Sequence, residues 1–403
     1  MDHDELLDRE TAAERVLDLR SAVLPEQPTV SVPLDEITGR VVGEAIVAPG
    51  DAPPVSRATM DGFAIDADEE YPLELLDGEV FPEDEAGSLP EGHAARVATG
   101  APIPEGASAV LKREEATLEE GRLRGSDLEP GTYVYQRGQN YRDGEILFEA
   151  GERLGPQDAI LLGDLGLETV PVYERFSAGI VATGTEIHEG RTRDLDSAML
   201  AGLVDAWGHE AVHEGTAPDE YERVRSLIAG VADEYDVVIS TGGTSVGHKD
   251  HVVRALDDLG EVLFHKVRIR PGKPIAVARL PAHDAIAFAI PGKPVGAHTI
   301  ACLTMGPFFT GQRGPYPSVA ATMSVDVELG PEGFEYVIPV TLEEGTAEPL
   351  GHTSSALTVY EETFDPSVLS STTRTTRADG VIITTSELSA DETVQVIPYD
   401  VLA

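Results

Sequence analysis

The chain has a single cysteine, Cys302, in 403 residues. That excludes a disulfide framework and any CxxC metal or redox site, and it fits a reducing compartment. Aromatic residues are only 5% of the composition, so the cores are expected to be built from Val, Ile, Leu and Ala. No run of 18 apolar residues occurs, and Met1 to Glu10 carries five acids with no apolar stretch. Neither a membrane span nor a signal peptide is therefore expected, and the reading is a cytoplasmic protein. Basic residues are scarce as well: 29 against 72 acids, a net charge of −43. A general nucleic-acid or anionic-membrane binder needs a basic face, so both classes are excluded.

Acids in such excess repel one another in any compact state. No acidic block of five or more occurs, and the acids are spread through segments of ordinary hydrophobic periodicity, with 24 Arg to 5 Lys. This distribution predicts a whole surface adapted to molar salt, where the screening length falls to about 3 Å, rather than an acidic tail. The length predicts two to four domains.

Apolar positions at Ala13, Val16, Leu17 and Val23 predict an opening helix over about Glu10 to Leu24, ended by Pro25 and Pro28. From Val30 to Val172, short alternating runs cut by Gly and Pro clusters predict an all-β region. At Phe176 the pattern becomes that of alternating strands and helices. Ala178 to Thr183 and Tyr235 to Ser240 read as buried strands; helices are expected from a cap at Asp196 to Trp207, over Asp219 to Asp233 and over His248 to Leu259. Strands over Val262 to Ile269, Pro274 to Leu280 and Ala285 to Ile290 follow, then an apolar helix from Pro294 to Phe309. Strands alternating with helices imply a doubly wound α/β domain. After a turn-rich linker at Gly311 to Pro317, β-like runs return as a small separate domain.

Four of the five lysines fall within 45 residues: Lys249, Lys266, Lys273 and Lys293, with only Lys112 elsewhere. Between Val262 and His283 there is no acid, while Lys266, Arg268, Arg270, Lys273 and Arg279 all lie there. In so acidic a chain this local positive charge predicts an anion site. Just upstream, Thr241-Gly242-Gly243-Thr244-Ser245-Val246-Gly247 joins a strand to a helix start, where backbone N–H groups can approach an oxyanion. Three acids stand beside glycine turns, Asp61, Glu186 and Asp250; each is compatible with a surface turn or, near an anion, with a bridging Mg²⁺. His209-Glu210-Ala211-Val212-His213 fits the HExxH zinc signature in letters only. In a strand the two histidines would stand about 13 Å apart and could not share one metal.

Taken in order, these segments resemble the MoeA family and the homologous E domain of gephyrin. Ser56 to Ile65 (SRATMDGFAI) looks like its S-x-MDG-x-A element and Val97 to Glu105 (VATGAPIPE) like TGAP-P-G. Arg137-Gly138-Gln139-Asn140 is similar to an RG-x-[DN] turn. In the α/β region Ala182 to Ile187, Ser240 to Asp250, Arg270 to Ile275 and Ile290 to Gly296 resemble TG-[DN]-EL, SGG-x-SVG-x-x-D, PGKP and LPGNPV. The resemblance implies a multi-domain α/β plus β protein. Its parts would be an extended domain I (1–50 and 145–175, dimerisation), a β-rich insertion, domain II (51–144), a doubly wound MogA-like domain III (176–311) that binds molybdopterin, and a C-terminal β-barrel, domain IV (317–403).

The resemblance further implies a homodimer and a molybdopterin molybdenumtransferase of molybdenum cofactor biosynthesis. Adenylylated molybdopterin and molybdate or tungstate would be its substrates, AMP would leave in a Mg²⁺-dependent step, and other cofactor-biosynthesis proteins would be partners. Carried over residue by residue, Asp61, Thr99, Glu186, Asp250 and Lys273 are the expected catalytic groups, with Glu186 and Asp250 holding Mg²⁺. Gly184, Gly242, Gly243, Ser245, Gly247, Arg270, Pro291, Gly292, Lys293 and Pro294 would bind the pterin and its phosphates. Three positions depart from the family's pattern: Thr185 replaces Asp or Asn, His248 often Glu, and Lys293 Asn. The LSS-like Leu369-Ser370-Ser371 follows a segment, near His352 to Pro366, that looks inserted.

Overall fold

A computed structural model describes residues 6–243 and 251–402. The chain forms two compact units: one comprises the residues up to Val41, Arg153–Pro156 and everything from Thr169 onward, the other Val42–Glu152 and Gln157–Glu168. No helix among the described residues is long and apolar enough to cross a membrane.

In the first unit the opening helix runs Arg9–Val23, one residue from the expected start, because the Asp8 carboxylate accepts the Thr11 N–H at 2.8 Å and caps it. The central sheet has six strands in the order Glu210–Ala217, Ser177–Thr183, Val237–Thr241, Ala285–Ile290, Ala276–Leu280, Glu261–His265; the first four are parallel and the last two antiparallel additions. Alternate side chains fall into two cores, as period-two strands covered on both faces require. Ala178, Ile180, Ile239 and Phe288 pack with helix Ser197–Ala206, while Val181, Val238 and Ala287 meet helices Tyr221–Ala232 and His251–Leu259. The predicted doubly wound α/β class is found, and the C-terminal strands form the predicted barrel. Glu335–Glu343, Thr346–Pro349, Val319–Met323, Thr393–Pro398 and Gly380–Thr384 follow one another, and the last pairs back to the first.

Three expectations need correction. The single strand expected over Val262 to Ile269 is two strands in two sheets. Glu261–His265 ends at Lys266, whose left-handed φ of 79° turns the chain, and Ile269–Arg270 then joins Glu335–Glu343 of the barrel. Periodicity sees only alternation and is blind to a one-residue turn. Asp196 does not cap the helix Ser197–Ala206: Asp194 accepts from the N–H groups of Asp196 and Ser197 at 3.0 and 3.1 Å, and the buried Asp196 accepts from Thr241 Oγ1 at 2.8 Å. Finally, the supposedly all-β stretch contains the helix Asp158–Asp164. The start of the helix expected from His248 lies outside the described residues.

The second unit holds a six-stranded sheet ordered Ala109–Lys112, Gly62–Ile65, His93–Val97, Leu73–Val80, Arg122–Arg124, Thr117–Glu119. Gly62 opens its second strand because a Cβ there would stand 2.1 Å from the Leu111 carbonyl oxygen.

The HExxH segment is a strand, as expected: His213 lies on it, and His209 precedes it as a core residue. His209 Nδ1 accepts from the Phe176 N–H, and Nε2 donates to the Phe309 carbonyl, both at 2.9 Å. Burial lowers its pKa from 6.5 to about 4, aided by the charges of Arg20, Arg153 and Arg175. A base whose folded pKa is depressed stabilises the fold above the unfolded value and loses that contribution as pH falls. The loss should span pH 6.5 to 4 and reach about 3 kcal/mol. Urea unfolding of wild type and His209→Gln at pH 7 and pH 4.5 checks this: the variant should lose less stability over the interval, and equal losses would refute the assignment.

Candidate functional site

The C-terminal ends of the parallel strands open into a cleft of about 770 Å³ within the first unit. Open α/β sheets place ligands at this end, where strand order reverses. Its floor is nearly side-chain free. Gly242 follows the strand Val237–Thr241 with φ 86°, and a Cβ there would lie 2.5 Å from the Thr183 carbonyl oxygen. A Cβ on Gly292 would come within 3.0 Å of the Gly242 Cα, and one on Gly272 within 3.1 Å of Ile300. The glycine turns thus stand back to back, and any side chain would force them apart.

Around this floor the cleft gathers Gly184, Glu186, Gly242, Gly243, Arg270, Lys273, Pro291, Gly292 and Lys293, all anticipated from the sequence. Pro294 is set just behind, as the first residue of the helix Pro294–Ile300. Ser245, Gly247 and Asp250 lie outside the described residues. Of the basic segment, Lys266, Arg268 and Arg279 are not among the lining residues. Arg279 instead stands opposite Glu261 in the sheet.

The three cations are held differently. Arg270 lies over the Phe334 ring with Cζ 4.2 Å from its centroid, and the Lys273 ammonium is 5.6 Å from the same ring. Lys293 Nζ donates to the Ser367 carbonyl at 2.8 Å. Facing them, Glu186 is exposed on the short helix Thr185–His188. Asp219, also on the lining, accepts the Thr185 N–H at 3.3 Å and receives at its own N–H the Thr185 hydroxyl oxygen as acceptor at 3.0 Å. The Thr185 departure is therefore the residue that fixes Asp219 at the cleft.

Sequence reasoning missed Asp219, read there only as a helix start, and missed the barrel's share: Phe334, Pro366, Ser367 and Ser370. Ser370 also accepts the Val295 N–H at its carbonyl, at 3.0 Å. The LSS-like tripeptide was the one signal that could have found it.

In the second unit Asp61 and Thr99 form one group. The Thr99 N–H and hydroxyl both donate to Asp61 Oδ1 at 2.7 Å, and these bonds hold the Asp61 carboxyl below the usual range. Both residues are exposed.

Residues 7–166 match the family described as MoeA N-terminal region (domain I and II), and 179–310 match the probable molybdopterin binding domain. The molybdopterin molybdenumtransferase of Synechococcus elongatus is 30% identical over 328 residues, covering 75% of this chain and 80% of that protein. That of Haemophilus influenzae is 29% identical over 356 residues, 82% and 87% of the two chains. A solved molybdopterin biosynthesis MoeA protein from Pyrococcus horikoshii aligns with a TM-score of 0.75 at 25% identity, over 98% of this chain and 100% of that one. With its fold, its cleft and this similarity along most of its length, the chain belongs to the molybdopterin molybdenumtransferase family.

Proposed function

We propose that this chain inserts molybdenum from molybdate, or tungsten from tungstate, into adenylylated molybdopterin with release of AMP, as a homodimer in a salty cytoplasm. The observation that carries the reading is the convergence of Arg270, Lys273 and Lys293 on one glycine-floored cleft of a protein with net charge −43. Such a focus of positive potential suits a doubly anionic oxyanion together with the phosphates of an adenylylated pterin. The Gly184 and Gly242 N–H groups are spent on the Ala217 and Ile290 carbonyls, so other backbone N–H groups of the glycine turns would orient the phosphates, and Lys273 would hold the oxyanion against the dithiolene.

Mg²⁺ fits the donor set. Two carboxylates, Glu186 and Asp219, line the cleft, and Mg²⁺ is typically held by one or two carboxylates plus substrate phosphates. Bound there, it would offset the charge of the phosphates. Asp61, kept ionised by Thr99, is proposed as a further group of the reaction, from the part of the chain outlined from the sequence as domain II.

Phe334 is expected to matter for substrate affinity rather than for chemistry. Phe334→Leu should raise the KM for oxyanion about five-fold with kcat little changed, the size of a partly desolvated cation–π contact. A large fall in kcat at unchanged KM would contradict this placement. The overall reading is tested by AMP release from adenylylated molybdopterin in multimolar KCl with Mg²⁺, with and without molybdate or tungstate. Oxyanion-dependent release supports an insertase and names its metal; tight pterin binding with no AMP under either oxyanion would mean a non-catalytic scaffold.

A further inference from the structure

Lys293 stands in the N-cap position of the helix Pro294–Ile300, with extended backbone at φ −108° and ψ 117°. A lysine side chain carries only donors, so it cannot accept the free N–H groups of the first turn as Ser, Thr, Asp or Asn would. The acceptor comes instead from the barrel: the Ser370 carbonyl takes the Val295 N–H at 3.0 Å. The lysine's own ammonium crosses in the same direction and donates to the Ser367 carbonyl at 2.8 Å. One backbone bond and one side-chain bond thus join the helix start to a single barrel turn.

That turn is stiff in itself. Asp365 accepts the N–H groups of Ser367 and Val368 at 2.9 and 3.1 Å, Pro366 opens the short helix Pro366–Leu369, and Leu369 is fully buried in the barrel core. Ser370 Oγ donates to the Ser367 carbonyl at 3.0 Å, so this oxygen receives one donor from inside the turn and one from the helix start. Pro366, Ser367 and Ser370 line the cleft from the barrel, and Gly292, Lys293 and Gly296 line it from the α/β domain. A Cβ on Gly296 would stand 3.7 Å from Ser370 Cβ, so the two walls already approach each other there. No carboxylate pairs with Lys293 among the described residues. The bond to Ser367 therefore spends a donor and leaves the positive charge in place.

We propose that Lys293 is a positioning residue: it clamps the barrel turn 365–371 to the helix start and so sets the width of the cleft for the bulky pterin, while Lys273 answers to the small oxyanion. The clamp follows from the geometry alone, and only the identity of the ligand rests on the function proposed above. Methionine at this position would keep the apolar stem and lose the bond, leaving the Val295 N–H to hold the turn by itself.

The test compares wild type and Lys293→Met as full-length proteins. Without any ligand, hydrogen exchange at the Val295 amide should be about tenfold faster in the variant, the fold-change expected for loss of one bond from a charged donor. In turnover with Mg²⁺, the variant's KM for adenylylated molybdopterin should rise about tenfold, while the KM for molybdate or tungstate, whichever supports release, changes by less than about twofold. Unchanged exchange at Val295 would overturn the clamp, as would an unchanged pterin KM. A rise that falls on the oxyanion KM instead would also overturn it, making Lys293 a direct ligand of the oxyanion. If wild type itself releases no AMP, the proposed function fails and the exchange rates alone decide the clamp. Should Lys293→Met fail to fold, Lys293→Gln, neutral and shorter, takes its place in both measurements.

Discussion

Lys273→Ala should lower oxyanion-dependent AMP release by roughly 10²–10³-fold in kcat/KM, the usual cost of removing one preorganised charge donor from a site. Of the three cleft cations, this one has the least to hold it elsewhere. Arg270 is stacked on Phe334 at 4.2 Å and Lys293 is bonded to the Ser367 carbonyl. The Lys273 ammonium has no hydrogen bond or ion pair among the described residues, only the ring at 5.6 Å. Its capacity is therefore available to a ligand. Lys273→Arg should recover part of the activity, since charge is kept while the compact ammonium is replaced by a planar fork. Unchanged turnover in both Lys273→Ala and Asp61→Asn would remove the proposed site. Loss in Lys273→Ala alone would leave the cleft and discard the domain II contribution.

The second large effect is on the floor of the cleft. Gly242→Ala places a Cβ 2.5 Å from the Thr183 carbonyl oxygen at a residue with φ 86°. Strain at a left-handed position and the overlap together should cost on the order of 3 kcal/mol, and Tm should fall by about 5 °C. The strand ends of Thr183 and Thr241 would have to separate, so pterin binding should weaken with it. Gly202→Ala is the matched control. Gly202 is exposed within the helix Ser197–Ala206 with nothing within 4 Å of a built Cβ, and alanine favours helix there, so its Tm should hold or rise. Equal melting of the two variants would show that the floor is not as tightly closed as its geometry requires.

Much of this protein was legible from its residues alone. The α/β class followed from buried strands such as Val237–Thr241 alternating with amphipathic helices such as Tyr221–Ala232, because local periodicity reports which face is buried. The expectation of an anion site came from the basic, acid-free stretch Val262 to His283 and from the glycine turn just upstream of it. Single-residue turns and cap choice were not legible. Lys266 breaks a strand in two, and Asp194 rather than Asp196 caps a helix while Asp196 is taken up by Thr241 from 45 residues away.

What only the tertiary structure decided is which distant residues share a space. Phe334 stands 61 positions beyond Lys273, and Ser367 is 74 beyond Lys293, yet folding brings each to its lysine. Thr185 positions Asp219 from 34 residues away. Arg20 lies in the opening helix, and only folding reveals that it is buried with no ion pair among the described residues. Composition and periodicity are local properties, whereas convergence is set by sheet order and barrel closure, which no short window of sequence contains.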